Sequence, residues 1–434
     1  MKLVLEMPLE FRLAICMFLG ALAASLANFG IYRFAWNKRL VSPWSPAPKG
    51  AGPRTWADRI PILGWLFLRR EVAFHGSGFW IRPMIIELIA AAGFAALYVW
   101  EVHDARLFMP AEFVPIVPPG RMLITVTPAI THGPLISHLI LIVLMLIATF
   151  IDIDEKTIPD QVTITGTLVG LILAVLNPWS MLPGRTFSLP GPVPVIQSEF
   201  LHITSPLQWS ATLNGGAANY WSLAVGLLCF WLWCFAILPR SWHGRYGLRR
   251  ALRYFFARIF RDLYSWIVFV VWFIGSIGIG VVWWSGGFRW IALLTSLVGV
   301  AAGASVIWAL RLMGKRILQK EAMGFGDVTL MAMIGAFVGW QAGLIVFFLA
   351  PLAGLVVGLA NFIVNRNNVI PYGPFLCLAT MVTLIYWNAI WSYLQPAFSM
   401  GKLIPLMMVA CLGLMGVLLL ALQAVKWVIW RKAS

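Results

Sequence analysis

Long apolar runs alternate with short polar gaps along almost the whole chain. By length the runs predict eleven membrane-crossing helices. They cover about residues 11–32, 83–100, 135–151, 162–178, 220–238, 263–284, 290–310, 327–340, 342–364, 375–391 and 404–430. Ser285-Gly286-Gly287 predicts a tight hairpin between the sixth and seventh runs, and Pro159 suits the short turn between the third and fourth. Residues 101–133 are proline-rich, and residues 179–218 read as a loop with short strands. The first run reads as a retained span, because Lys2 and Arg12 stand against Glu6 and Glu10 at its start, a weak basic flank for a signal peptide.

Charge orients this pattern. Alternating crossings from an external N-terminus put 25 of the 32 Lys and Arg on the inner side, including the cytoplasmic C-terminus. The expected fold class is an all-α polytopic membrane helix bundle of about eleven spans. The expected divisions are residues 1–133, with two spans and a cytoplasmic loop over 33–81; residues 134–178, an acidic hairpin; residues 179–288, an inserted loop with two extra spans; and residues 289–434. Composition agrees: 61% of the residues are hydrophobic, 11% are charged and the mean hydropathy is +0.85. The net charge of +16 sits in the gaps between runs, which fits membrane sidedness and not a nucleic-acid partner. The five cysteines all lie in apolar runs and form no CxxC pair, so they read as small core residues. His75 and His243 have no partners at ligand spacing, and no metal site is expected.

Two acidic stretches stand out among only 16 Asp and Glu residues. Asp152-Ile153-Asp154-Glu155-Lys156-Thr157-Ile158-Pro159-Asp160 ends the third run, and Gly324-Phe325-Gly326-Asp327 opens the eighth. Ionisable residues at membrane depth are costly and mark function by default. Taken alone, Asp152 reads as a wetted helix end, and Asp327 as an N-cap. Taken together, the alternation delivers both to the inner face. Two close carboxyls do not both ionise easily, so one keeps a proton. The ionised member can take a proton from water while the other polarises a carbonyl, and the pair titrates as a unit. Gly324 and Gly326 leave room for an extended backbone to approach.

These motifs resemble the prepilin peptidase family, membrane aspartyl proteases of the GxGD type. The likeness runs through Glu321 to Leu330, Gly335 and Gly339-Trp340-Gln341, and through Asp152, Ile158-Pro159-Asp160 and Thr163. Asn28 with Arg33, the stretch Asp58 to Trp65, Arg82-Pro83 with Glu87, and Ile370 to Phe375 extend it. The resemblance implies that Asp152 and Asp327 are the catalytic pair. Gly324, Gly326, Pro159, Asp160 and Glu87 would support substrate or motif, with Glu87 expected to pair with Arg82 or Arg33. It implies cleavage of the basic leader of type IV prepilin or type II pseudopilin precursors, at the cytoplasmic face of a bacterial inner membrane, with no cofactor. Many members also methylate the new N-terminus with S-adenosylmethionine, and carry paired CxxC zinc motifs in the N-terminal loop. The stretch Arg33 to Ile81 contains no cysteine. The arginine-aromatic stretch Arg240 to Arg261 reads as an interfacial segment for anionic lipid. Two rival readings keep the same aspartates: a proton-coupled transporter, disfavoured because both lie at run ends, and a non-catalytic pilus or secretion assembly protein.

Overall fold

The computed structural model describes residues 6–108, 124–189, 195–207, 219–239, 260–317, 323–365, 371–401 and 403–433, with a few positions between 249 and 258. Most of Arg240 to Arg261, together with His243, Lys320, Glu321, Ala322 and Ile370, lies outside the described residues.

The apolar runs form helices α1 (Leu9–Phe34), α2 (Ile81–Tyr98), α3 (Pro128–Glu155), α4 (Asp160–Leu176), α5 (Tyr220–Ile237), α6 (Leu263–Ser285), α7 (Gly287–Ile317), α8 (Phe325–Asn365), α9 (Gly373–Ile385), α10 (Trp387–Phe398) and α11 (Leu403–Ala433). Among the described residues, seven helices are long and apolar enough to cross a membrane, and eight if α9 and α10 make one bent span. Two shorter apolar helices, Asp160–Leu176 and Leu403–Val417, accompany them. The fold is an all-α polytopic bundle with one addition, a three-stranded antiparallel sheet. In it β3 (Val195–Phe200) lies between β1 (Ile124–Thr125) and β2 (Pro183–Leu189).

The helices meet through small residues, as close packing without a strong hydrophobic force between helices requires. A Cβ on Gly299 or on Gly335 would overlap the other's backbone, so α7 and α8 touch main chain to main chain. The Ser296 hydroxyl donates to the Ala336 carbonyl across the same seam, at 2.5 Å. Added Cβ atoms on Gly166 and Gly170 of α4 would run into Met333 and Ala336 of α8. On α1, Gly20 faces the Ala90 carbonyl of α2, where a Cβ would stand 2.7 Å away.

Three expected runs behave differently from straight spans. Runs eight and nine are one stretch, α8, broken at Gly339, whose φ of 79° no L-residue adopts cheaply. The chain folds back there: Met331 Cε lies 3.5 Å from where a Cβ on Gly343 would be, although a straight helix would separate these residues by about 18 Å. Run ten bends by 92° between α9 and α10. Trp387 Nε1 donates to the Pro183 carbonyl at 2.7 Å and Trp391 Nε1 to the Gly184 carbonyl, which pins α10 along β2. At this same end Trp340 Nε1 and Gln341 Nε2 donate to the carbonyls of Ile203 and His202, at 2.8 and 2.7 Å. The bundle thus has a sheet end, with the Gly339 reversal, and an opposite end carrying the acidic motifs. Cys411 is exposed, against the expectation that every cysteine is a core residue.

The N-terminal loop folds around ion pairs. Arg54 grips Glu71 through Nε and Nη2, at 3.0 and 2.6 Å, and donates to the carbonyls of Leu40, Ser42 and Ser45. Arg70 holds Asp58 at 2.7 Å. The Arg70 hydrogen bonds keep the Asp58 carboxyl below the usual carboxylate range. Burial pushes Glu71 up, but Arg54 and His75 outweigh it and hold the carboxyl low. Carboxyls depressed on folding add stability above their unfolded values, near pH 4, and that stability is lost as pH falls through the folded values. Protease protection of the loop is therefore expected to hold at pH 7 and to fail in acid, below about pH 4. Arg54→Ala, which strands a buried carboxylate, is expected to destabilise the loop by about 3–5 kcal/mol, read as nicking between residues 36 and 80 at neutral pH.

Candidate functional site

The acidic motif at the end of α3 splits its carboxylates among three directions. Asp154 faces outward to Arg82, at 2.8 Å, and Arg82 also stacks over the Phe150 ring. Glu155 accepts from the backbone N–H groups of Trp36 and Asn37, at 2.6 and 2.9 Å, and so ties the chain leaving α1 to the end of α3. Asp152 alone turns into the bundle. It is 4% exposed, and its Oδ2 accepts from the Gly373 N–H at 3.1 Å. The helix then stops at Lys156, whose left-handed φ of 55° starts the turn into α4.

Asp327 opens α8 and is 7% exposed. Its Oδ2 accepts from the Gly324 N–H at 3.1 Å, an N-terminal capping bond that fixes the carboxyl on the side of the glycines. Arg311 of α7 is within electrostatic reach of it and lies over the Phe325 ring. The structure brings the two acidic motifs together: Ile158, in the loop after Asp152, packs on Gly326, the residue before Asp327.

Ile158 is the wedge between Gly326 and Gly373. A Cβ on Gly326 would stand 2.8 Å from Ile158 Cβ, and one on Gly373 would stand 2.9 Å from Ile158 Cδ1 and 2.5 Å from Asp152 Oδ2. The loop after Asp152 therefore packs against the glycine before Asp327 and the glycine that binds Asp152. α4 is further clamped to α8 by Thr163 Oγ1, which donates to Thr329 Oγ1 at 2.9 Å, both buried. Pro159 N-caps α4. Asp160, its first residue, is exposed and stands apart from the buried pair.

Glu87 is not paired with Arg82 or Arg33, contrary to expectation. It is fully buried and accepts from three neutral donors: Asn28 Nδ2 at 3.1 Å, the Ile62 N–H at 2.6 Å and Trp65 Nε1 at 2.9 Å. Neutral donors satisfy a buried carboxyl without a second buried charge, which would itself need desolvating. Its place is the joint between α1, α2 and the N-terminal loop. Arg82 goes to Asp154 instead. The loop residues that would have to hold a zinc ion do not fit one. The stretch has no cysteine, its acids are taken by Arg54 and Arg70, and no three His, Cys, Asp or Glu side chains gather as a metal set among the described residues.

The roles of Ile158, as a wedge, and of the Gly373 N–H, as a donor to Asp152, had no signal in the sequence beyond their nearness to proline-containing turns. The contact is directly testable. Ile158→Cys with Gly326→Cys, in a background without the native cysteines, is expected to cross-link under mild oxidation, since these Cβ positions need only a shift of about 1 Å to reach disulfide range. A failure to cross-link would separate the two acidic motifs.

Comparison with known proteins points the same way. A family model described as the type IV leader peptidase family matches residues 254–359, and one described as the bacterial peptidase A24 N-terminal domain matches residues 18–101. Asp327 lies in the first of these, Glu87 and the N-terminal loop in the second, and Asp152 in neither. A prepilin leader peptidase/N-methyltransferase of Aeromonas hydrophila is 36% identical over 108 residues, which is 24% of this chain and 37% of that relative. Proteins of the same name from Stutzerimonas stutzeri (34% over 108 residues, 24% and 37%) and Escherichia coli strain K12 (32% over 98 residues, 22% and 44%) are also similar. The chain spans less than half the length of these curated relatives. No solved structure matches it. Both family models and the curated relatives support one family for this chain, the type IV prepilin peptidases.

Proposed function

We propose that this protein is a membrane aspartyl endopeptidase that removes the leader of type IV prepilin-like or type II pseudopilin precursors, with Asp152 and Asp327 as its acid pair. The observation that supports the reading is that Gly373, which donates its N–H to Asp152, and Gly326, the residue before Asp327, pack on the same Ile158, although the two acids lie on helices far apart in sequence. The rest of the acidic motif is occupied elsewhere: Asp154 by Arg82, Glu155 by two backbone N–H groups.

In this mechanism the two carboxyls share one proton. The ionised member takes a proton from a water as its oxygen attacks the scissile carbonyl, and the protonated member donates toward the carbonyl oxygen. The tetrahedral intermediate then collapses, and the leaving nitrogen takes a proton from the pair. Neither a metal nor a covalent enzyme intermediate is required. Gly324 leaves open space on the α8 side, where an unwound substrate strand needs backbone room, whereas the space at Gly326, expected to serve the same purpose, is filled by Ile158. The acid pair is assigned to the cytoplasmic face of the bacterial inner membrane, where the positively charged loops are also placed by the inside-positive pattern. The bond cut would be the one just before the precursor's apolar helix. Anionic lipid is assigned to the basic stretch after α5.

The N-methyltransferase half of the relatives' name is a separate activity. It would use S-adenosylmethionine, and the N-terminal loop that would accompany it is built here on Arg54 and Arg70 instead of on thiolates.

Asp152→Ala and Asp327→Ala are each expected to abolish leader removal in cells expressing a pilin-like precursor, with membrane insertion unchanged. The double variant should be no worse than either single one, because the pair acts as a unit. Asp154→Ala is expected to retain cleavage. The size shift of the precursor on a gel reads all four, and normal processing by Asp152→Ala would refute the pair. Mass spectrometry of the mature N-terminus decides methylation, with a product about 14 Da heavier marking a second activity.

A further inference from the structure

Tyr372 precedes Gly373 at the start of α9. Its ring is half-buried and its hydroxyl is fully buried, yet the hydroxyl meets no hydrogen-bond partner among the described residues. Most buried side-chain polar atoms in native proteins are satisfied, and an orphan costs about 1–3 kcal/mol. The backbone of Tyr372 has no such problem, since its carbonyl accepts from the N–H groups of Phe375 and Leu376, at 3.0 and 3.3 Å.

The position of this hydroxyl gives it a use. The residue after it donates its N–H to Asp152 at 3.1 Å, and that glycine packs on Ile158, which also packs on Gly326 beside Asp327. The dipeptide Tyr372-Gly373 therefore stands where the two acidic motifs meet. Other polar groups close to the pair are engaged. The Gly324 N–H caps Asp327, the Gly373 N–H holds Asp152, and Thr329 donates to the Gly326 carbonyl at 3.0 Å. Cys377, one turn along α9, directs its thiol to the Met145 carbonyl.

We propose that Tyr372 is a catalytic residue of leader cleavage, its hydroxyl donating a hydrogen bond to the scissile carbonyl oxygen as that oxygen becomes negatively charged. The proposal rests on Asp152 and Asp327 being the acid pair. The phenol keeps its proton throughout. The water oxygen forms the new bond to carbon, the carbonyl π electrons move to oxygen, and the proton leaving water goes to the ionised carboxylate. Tyr372 stabilises only the charge that appears between those events. A donor of this kind acts more strongly on the transition state than on bound substrate, so its loss falls on kcat and leaves KM nearly alone.

Tyr372→Phe removes one oxygen and preserves the ring. In the purified full-length protein, acting on a pilin-like precursor, kcat is expected to fall about 100-fold or more with KM little changed. Thermal stability is expected to stay level or rise, because the substitution deletes an unpartnered buried hydroxyl. A leftover structural hydroxyl would give the same stability result with kcat unchanged, and that outcome would overturn the proposal. Asp152→Ala and Asp327→Ala measured alongside separate the two layers. If both are inactive while Tyr372→Phe runs at the native rate, only the tyrosine assignment fails. If either aspartate variant still cleaves, the acid-pair reading fails and takes this proposal with it.

Discussion

Everything at the acidic end of the bundle depends on how closely two backbones approach one isoleucine. Ile158 fills the space between Gly326 and Gly373, and neither position has room for a single added carbon. This contact holds the backbone after Asp152 against the backbone before Asp327 by packing alone. The capping bonds from Gly324 and Gly373 then aim each carboxyl, so the backbone rather than other side chains holds the pair. A site built this way resists drift, since hydrogen bonds to main chain leave few rotamers open.

The same economy runs through the bundle. Gly299 with Gly335, Gly166 beneath Met333 and Gly170 beneath Phe337 let α4, α7 and α8 lie in direct contact. Thr163 and Thr329 satisfy each other inside this seam. In an apolar solvent such contacts replace the hydrophobic force that joins helices in water. α4 thereby becomes the rigid link between the two halves of the site. It starts two residues after Ile158 and packs along α8, whose first turn carries Asp327.

Much of this was legible in the sequence, and for identifiable reasons. The apolar runs gave the helices, because run length is a strong signal for membrane-crossing segments. The proposal that Asp152 pairs with Asp327 began from alternation, which delivers run ends to a common face. The motif around Gly324 carried the resemblance that the family models support. What escaped were matters of direction. Glu87 was expected beside a cation and instead accepts from Asn28, Ile62 and Trp65, because spacing along a helix does not reveal which loop folds over it. The bend between α9 and α10 was invisible for a similar reason. Its cause is a pair of indole hydrogen bonds to β2, some two hundred residues earlier. The ion-paired N-terminal loop could be read only as lacking thiols, since charged residues alone do not say who grips whom.

The reversal at Gly339 has a consequence for where chemistry can take place. The first limb of α8, from Phe325 to Val338, rises about 21 Å, against roughly 30 Å of hydrocarbon. Its residues from Val328 onward are buried in protein, so this limb has no contact with lipid tails to match in thickness. A sheltered limb of this length fixes the first turn of α8 relative to the Gly339 reversal by protein packing, not by bilayer thickness. Under the proposed function, a peptide bond cleaved here would have to reach carboxyls that are only 4% and 7% exposed, which favours partners whose scissile bond already borders an apolar helix.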